Sequence, residues 1–243
     1  MTVLMSDAAS APLTPPRTIL YTGSSGRLGL HVIPLLQARG YEVIGADLGN
    51  HNPAVTCFRE LDLVNFDRVM EVCEGVDAIV HCAIASSRAL GVADEETTPQ
   101  EEKLLFDHTS FDVNVKGTYN LYEAARRHGI RRVIFMSSLT TVLAWPDRPI
   151  PPNVLPAPRN VYACTKLFGE QLAEVFNRTL GMSIISLRLG QPYPLNVSKE
   201  KLWLGTERGR ATYVAHEDTV EAIYCALNHP APEGGLFTVT SVS

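Results

Sequence analysis

The segment Tyr21-Thr22-Gly23-Ser24-Ser25-Gly26-Arg27-Leu28-Gly29 constrains this chain more than any other. An apolar run, Thr18-Ile19-Leu20-Tyr21, comes before it, and Leu28 to Leu36 repeats apolar positions at helical spacing after it. The pattern predicts strand, tight glycine turn and helix. Glycines are needed where a turn visits dihedrals that a Cβ forbids and where a phosphate must approach the backbone. The helix N-terminus then offers free N–H groups and partial positive charge to a pyrophosphate. Gly23, Ser25, Gly26 and Gly29 are therefore candidate cofactor contacts, although a glycine triplet alone also fits an ordinary tight turn.

A second strand, Tyr41-Glu42-Val43-Ile44-Gly45-Ala46-Asp47, ends in a carboxylate about 20 residues past the glycines, where a dinucleotide fold keeps its ribose-binding acid. Asp47 would accept hydrogen bonds from the ribose hydroxyls and repel a 2′-phosphate. That favours NAD over NADP, with Arg27 in the turn as a cation working against the preference.

Short β-rich runs then alternate with helical patterns, which predicts an α/β fold with a doubly wound parallel sheet. A third strand is expected at Ala54-Val55-Thr56-Cys57-Phe58, closing in Glu60-Leu61-Asp62-Leu63. Asp62 there could meet an adenine amino group or cap the helix that begins near Asn65. A helix over Phe66 to Glu74 leads to a fourth strand, Ala78-Ile79-Val80-His81, running into Cys82-Ala83-Ile84-Ala85-Ser86, whose small side chains let a cofactor lie on the backbone. His81 has no partner acid at useful spacing and reads as a packed, hydrogen-bonded strand-end residue rather than a catalyst.

The acidic stretch from Gly91 to His108 reads as a loop, and Ser110 to His128 as a helix closing at Gly129. Arg131 to Ser138 is a fifth strand delivering hydroxyls at its carboxyl end. The prolines between Trp145 and Pro158 demand a stiff loop. A helix over about Asn160 to Leu180 and a sixth strand over Ser183 to Leu189 follow, then an irregular stretch from Gln191 to Gly209, a late helix through Asn228 and a last strand at Leu236 to Thr240. The expected division is a mobile leader (1–17), a dinucleotide-binding domain carrying the catalytic helix (18–190) and a small substrate lobe (191–243) whose final helix and strand return to the core.

A chain of 243 residues can bury a full core, and a formal charge of −5 provides no basic surface for nucleic acid or an anionic membrane. The start has no secretory signal pattern, and no apolar run is long enough to span a bilayer. Cys57, Cys73, Cys82, Cys164 and Cys225 lie far apart, without metal-ligand spacing, so reduced thiols in a cytoplasmic protein without a metal site are expected.

Tyr162 and Lys166 are one helical turn apart and share a face. A phenol, with a reference pKa of about 10, is a poor base at neutral pH, and a neighbouring ammonium is expected to lower it until it can exchange protons. Ser138, at the tip of the preceding strand, would hold the substrate oxygen. Ser138, Tyr162 and Lys166 are the candidate catalytic residues.

Thr22-Gly23-x-x-Gly26-x-x-Gly29, Val80-His81-x-Ala83, Asn114-Val115-x-Gly117-Thr118, Ser137-Ser138 and Tyr162-x-x-x-Lys166 together resemble the extended short-chain dehydrogenase/reductase superfamily, in its NAD-dependent epimerase/dehydratase group. The resemblance implies a Rossmann fold with NAD across the strand ends and a Ser-Tyr-Lys catalytic set. By position it puts Arg27 and Leu28 at the pyrophosphate, Asp47 at the ribose, Asp62 and Leu63 at the adenine, Cys82, Ala83 and Ala85 along the cofactor, Asn114 near Lys166, and Gly190 by the nicotinamide. It also has Tyr162 and Lys166 touching the cofactor and implies a homodimer formed through helices 110–128 and 160–180.

Leu121-Tyr122-Glu123-Ala124-Ala125-Arg126-Arg127-His128-Gly129, Arg188-Leu189-Gly190 and the Tyr213 to Asp218 approach to the late helix are similar to small uronate dehydrogenases, which implies substrate contacts at Ser86, Ser138 and Thr140. Those enzymes follow their serine pair with Asn-His, where this chain has Leu139-Thr140. The expected activity is NAD-dependent hydride transfer at a secondary alcohol of a small polar molecule such as a sugar acid. The alternatives are an NAD-retaining epimerase or dehydratase and a non-catalytic NAD-binding protein.

Overall fold

The first strand, β1 (Thr18–Thr22), leads through the glycine turn into α1 (Arg27–Ala38), β2 (Glu42–Asp47), β3 (Cys57–Glu60), α2 (Phe66–Val72) and β4 (Ala78–His81). A π-helical turn, Phe111–Lys116, continues as α3 (Gly117–Arg127), followed by β5 (Arg132–Ser138), a 3-10 turn (Leu139–Thr141) and α4 (Val161–Leu180). The remainder is β6 (Ser183–Leu189), β7 (Gln191–Tyr193), β8 (Tyr213–Ala215), α5 (His216–Asn228) and β9 (Gly235–Val239). This computed structural model describes residues 13–85, 107–142, 154–193, 212–231 and 233–241. Most of the leader, Ser86, the acidic stretch 91–106, the proline-rich stretch before 154 and residues 194–211 lie outside the described residues.

Among the described residues seven strands form one sheet in the order β3-β2-β1-β4-β5-β6-β9, every neighbouring pair parallel. A parallel sheet is covered on both faces, so its inner strands are apolar throughout instead of alternating, and Ala78–His81 and Ser183–Leu189 are buried at every position. Successive residues serve opposite layers. Leu20, Ile44, Phe135 and Ile184 pack with Leu121, Tyr122 and Phe176 of α3 and α4. Ile19, Val43, Ile134 and Ile185 pack with Val32, Ile33, Val220 and Ile223 of α1 and α5.

The chain winds outward from β1 through β2 to β3, then returns to β4 and winds the other way. The reversal leaves a crevice outside the carboxyl ends of β1 and β4, the place where open α/β sheets bind ligands.

Local chemistry sets the helix ends. The side-chain oxygens of Asn65 and Asn160 accept from the N–H groups of Arg68 and Ala163 at the starts of α2 and α4. α4 stops at Gly181, whose φ of 64° suits a residue without a Cβ.

Several expectations need correction. The third strand begins at Cys57, because Ala54 and Val55 are held in a turn by Asn52. Asp62 caps no helix: it accepts from the Val64 N–H at 2.9 Å and leaves the cap of α2 to Asn65. Gln191–Tyr193, expected to be irregular, pairs in parallel with β8. The helix expected from Ser110 contains the π-helical turn.

Candidate active site

The glycine turn closes tightly on its neighbours. Gly23 has a φ of +76°, and a Cβ there would lie 2.8 Å from the backbone of Ala83. A Cβ on Gly29 would lie 2.5 Å from the Ser24 carbonyl oxygen, so only glycine lets α1 start so near the turn. α1 has no side-chain cap and no acid in its first turn. Its first N–H groups and dipole are left for an anion, and a dinucleotide pyrophosphate fits that donor set.

The Asp47 carboxylate, at the end of β2, accepts from the N–H groups of Ser25 at 3.0 Å and Leu48 at 2.8 Å. The Ser25 hydroxyl donates to the Gly49 carbonyl at 2.6 Å and accepts from the His51 N–H at 2.9 Å. The Asn52 carboxamide, 3 % exposed, donates to the carbonyls of Ser24 at 2.9 Å and Gly29 at 3.2 Å. Turn and β2–β3 loop are thus one hydrogen-bonded unit. Arg27 is exposed at the start of α1 and Leu28 is half-buried beside it.

At the end of β4, His81 is buried between Thr22, at 2.8 Å from Nδ1, and Thr118, at 3.0 Å from Nε2. The Thr118 hydroxyl donates to the Asn114 carbonyl at 2.6 Å, so it accepts from Nε2–H and leaves Nδ1 to accept from Thr22. Burial, helped by the Lys166 charge, pushes the His81 imidazole down to about 3. It is a neutral structural link, in agreement with its sequence pattern.

Asn114 sits inside the π-helical turn. Its Oδ1 accepts from the Ala85 N–H at 2.8 Å, and its Nδ2 donates to the Thr165 hydroxyl at 3.1 Å. This side chain ties the segment after β4 to α4, beside Lys166.

Tyr162, Lys166 and Glu170 rise along one face of α4 at four-residue spacing and meet three successive residues at the end of β5. Ser138 is the strand-end side chain that acts on the Tyr162 phenol, opposing its rise. The Lys166 ammonium, 3 % exposed, donates to the Met136 carbonyl at 2.8 Å and lies 4.8 Å from the centre of the Phe135 ring. The Glu170 carboxylate accepts from the Ser137 hydroxyl at 2.5 Å and is gripped by Arg188 through Nε at 2.8 Å and Nη2 at 2.7 Å.

The expected lowering of the phenol by its lysine is absent. Burial raises the Tyr162 phenol, opposed by Ser138 and assisted by Cys82. Burial brings Lys166 down to about 8, with Cys82 and Glu170 acting the other way. The ammonium is 6.0 Å from the centre of the Tyr162 ring and gives one of its three protons to the Met136 carbonyl. Cys82, which borders both, is pushed up to about 12 by burial and stays a thiol.

The remaining described candidates follow the carboxyl ends of β3, β4, β5 and β6. Ala83 abuts Gly23. Gly190 donates its N–H to the Val239 carbonyl at 3.0 Å, and a Cβ on it would strike the Thr212 carbonyl oxygen at 2.1 Å. Leu63 is buried with its carbonyl bound by Asn120, while Asp62 is exposed past the end of β3. Thr140 folds back on Ser138 through its N–H at 3.2 Å and its hydroxyl at 3.0 Å. Ser86 lies outside the described residues. Asn52 and Glu170 went unremarked in the sequence, and Ser137 and Arg188 entered only as members of the motifs Ser137-Ser138 and Arg188-Leu189-Gly190; the one further signal was Glu170, eight residues beyond Tyr162 on the same helical face.

Residues 19–201 match the model of the NAD dependent epimerase/dehydratase family. The chain is 32% identical over 227 residues to a uronate dehydrogenase of Pseudomonas syringae pv. tomato, covering 92% of this chain and 74% of that protein. A structure of uronate dehydrogenase from Agrobacterium tumefaciens, a mutant complexed with NAD, superposes with a TM-score of 0.73 at 26% identity, covering 93% of this chain and 77% of the other. A UDP-glucose 4-epimerase of Oryza sativa subsp. japonica is 28% identical, covering 76% of this chain and 52% of its own.

Proposed function

Because the chain belongs to the NAD dependent epimerase/dehydratase family, we propose that it oxidises a secondary alcohol of a sugar acid, with NAD as hydride acceptor and Tyr162 as general base. The observation that carries this reading is that Lys166, one turn beyond Tyr162 on α4 and 6.0 Å from the centre of its ring, is buried against the carboxyl end of β5, the strand that ends in Ser138. The likeness to uronate dehydrogenases supports a uronate as substrate.

The residues present fit NAD. The uncapped start of α1 would hold the pyrophosphate with the N–H groups around Gly26, Arg27 and Leu28. Asp47 would accept from the adenosine ribose and Asp62 from the adenine amino group, while Ala83, Ala85 and Gly190 leave room along the strand ends. Bound NAD supplies the electrophilic carbon that accepts hydride.

Ser138 would orient the substrate hydroxyl beside the phenol oxygen. Tyr162 would take the proton from that hydroxyl as the carbon–hydrogen bond breaks, and because burial holds the phenol above its ordinary value, turnover should rise toward alkaline pH. Lys166 would hold the nicotinamide ribose with a proton not given to Met136 and would contribute positive charge beneath the site. Residues 191–243 form the substrate lobe, with α5 and β9 returning to the core.

Assembly and place belong to the same proposal. Phe111, Tyr119, Phe168 and Val175 are exposed on the π-helical turn, α3 and α4, and pairing of two copies through these helices would cover them. No described helix is long and apolar enough to cross a membrane, and the cysteines are free, which supports a cytoplasmic enzyme with reduced thiols.

The test is incubation with NAD and a panel of uronates, following NADH by its near-ultraviolet absorbance. NADH is expected in amounts equal to substrate consumed, and Tyr162→Phe should lower kcat by about a hundredfold or more. Interconversion of sugars without net NADH would replace dehydrogenation by an internally recycled cofactor. NAD binding without turnover on any sugar would leave a binding protein.

A further inference from the structure

We propose that Thr165 is a positioning residue: it holds the Asn114 carboxamide in the one orientation that ties the segment after β4 to the first turn of α4, and so keeps that segment ready for the cofactor. The path has three bonds. The Ala85 N–H donates to Asn114 Oδ1 at 2.8 Å, Asn114 Nδ2 donates to the Thr165 hydroxyl at 3.1 Å, and that hydroxyl donates to the Tyr162 carbonyl at 2.8 Å.

Backbone groups at the two ends fix every direction between them. An amide N–H can only donate, so Asn114 meets Ala85 with its oxygen and turns its NH2 group to Thr165. A carbonyl can only accept, so the Thr165 hydroxyl gives its single proton to Tyr162 and faces Asn114 with a lone pair. A carboxamide turned the other way would set NH2 against the Ala85 N–H, and its oxygen against a hydroxyl with no proton left. Ala85, Asn114 and Thr165 are 5, 3 and 1 % exposed, so water competes for none of these groups.

Both ends of the path border the crevice. Ala83, two residues before Ala85, abuts Gly23 of the glycine turn. Tyr162 is the second residue of α4, in a turn that Asn160 caps from outside. Through Thr165 the segment and the turn are held as one body before any ligand arrives, and a segment ordered in advance loses less freedom when a ligand settles on it. The gain for NAD rests on the function proposed above; the hydrogen-bonded path does not.

The test follows amide hydrogen exchange of the full chain by NMR in strongly native conditions, where exchange reports local opening, with NAD affinity measured by calorimetry beside it. Thr165→Val keeps the volume and removes the hydroxyl, leaving Asn114 Nδ2 buried without its acceptor. Exchange at Ala85 should quicken by roughly three- to tenfold, the worth of one hydrogen bond, and the Kd for NAD should rise by a similar factor. Thr165→Ser keeps the hydroxyl and should match the parent in both. Asn114→Ala should also quicken Ala85, and adding Thr165→Val to it should change nothing further, because Thr165 acts on Ala85 through Asn114.

Unmoved Ala85 exchange or an unmoved Kd in Thr165→Val overturns the proposal. Failure of Thr165→Ser to match the parent, or a further quickening when Thr165→Val is added to Asn114→Ala, means a general loss of packing and overturns it as well. Should Thr165→Val not fold, Thr165→Ala is read by the same comparisons. If the parent binds no NAD or oxidises no uronate, the function proposed above fails, and the exchange comparison decides the present point alone.

Discussion

Arg188 grips Glu170 through two parallel hydrogen bonds of 2.8 and 2.7 Å, and both side chains are buried. Ser137 adds a third bond to the same carboxylate. The pair joins β6 to α4 directly below Lys166, so it sets how the catalytic helix sits on the sheet.

Removing one partner of a buried ion pair strands the other. Glu170→Gln should lower stability by about 3 to 5 kcal/mol, whereas Glu170→Met with Arg188→Met should recover most of that loss. Urea unfolding at neutral pH of the two variants and the parent measures both.

Lys166 gives the opposite expectation. Its folded-state value, about 8, lies below the ordinary 10.5, so the charged ammonium destabilises the fold at pH 7 and is relieved as pH rises through that interval. Lys166→Met should therefore gain roughly 2 kcal/mol at pH 7 after loss of the bond to Met136, or several degrees in Tm, while turnover disappears. The gain should shrink as the pH is raised above about 8. A gain over the parent no larger at pH 7 than at pH 10 would contradict the assignment.

His81 ties stability to acid pH. Its folded-state value of about 3 is below the ordinary 6.5, so between these values the unfolded chain binds a proton that the native chain refuses. Stability should fall by about 1.4 kcal/mol per pH unit on acidification through this window from this residue. In His81→Gln, less stable at pH 7 because the links to Thr22 and Thr118 are altered, the slope should be shallower by one proton. Chemical denaturation at pH 7 and pH 5 reads the difference.

Asn52 braces the glycine turn from outside. Asn52→Ala leaves the Ser24 and Gly29 carbonyls without that amide, which should cost about 1 to 3 kcal/mol and weaken NAD binding. Calorimetric titration with NAD should show a larger Kd, with a smaller effect on kcat once the cofactor is saturating.

How far the molecule was legible from its residues depended on the range of the interaction. The strands β1, β2, β4, β5 and β6 are apolar runs bounded by turn residues, and the glycine turn, Asp47, Ser138 and the Tyr162–Lys166 spacing are local patterns. His81 was readable as structural because nothing acidic lies at useful spacing. Gln191-Pro192-Tyr193 carries no strand pattern of its own and becomes a strand only by pairing with β8. The direction taken by Lys166 was hidden, because the Met136 carbonyl that captures it is brought there by the sheet. The roles of Asn52, Glu170 and Arg188 were hidden for the same reason: each acts on residues distant in the chain.

The π-helical turn at Phe111–Lys116 has a consequence for how this gene can change. Such a turn carries one residue more than a regular helix needs. Deleting a single codon there would let the coil tighten, rotating everything ahead of it by about 100° relative to α3. Asn114 would then swing off the amide and hydroxyl it bridges, although no contact-making residue had been replaced. The spacing is a ratchet tooth: a one-residue shift of the coil displaces Asn114 even when every other side chain is kept.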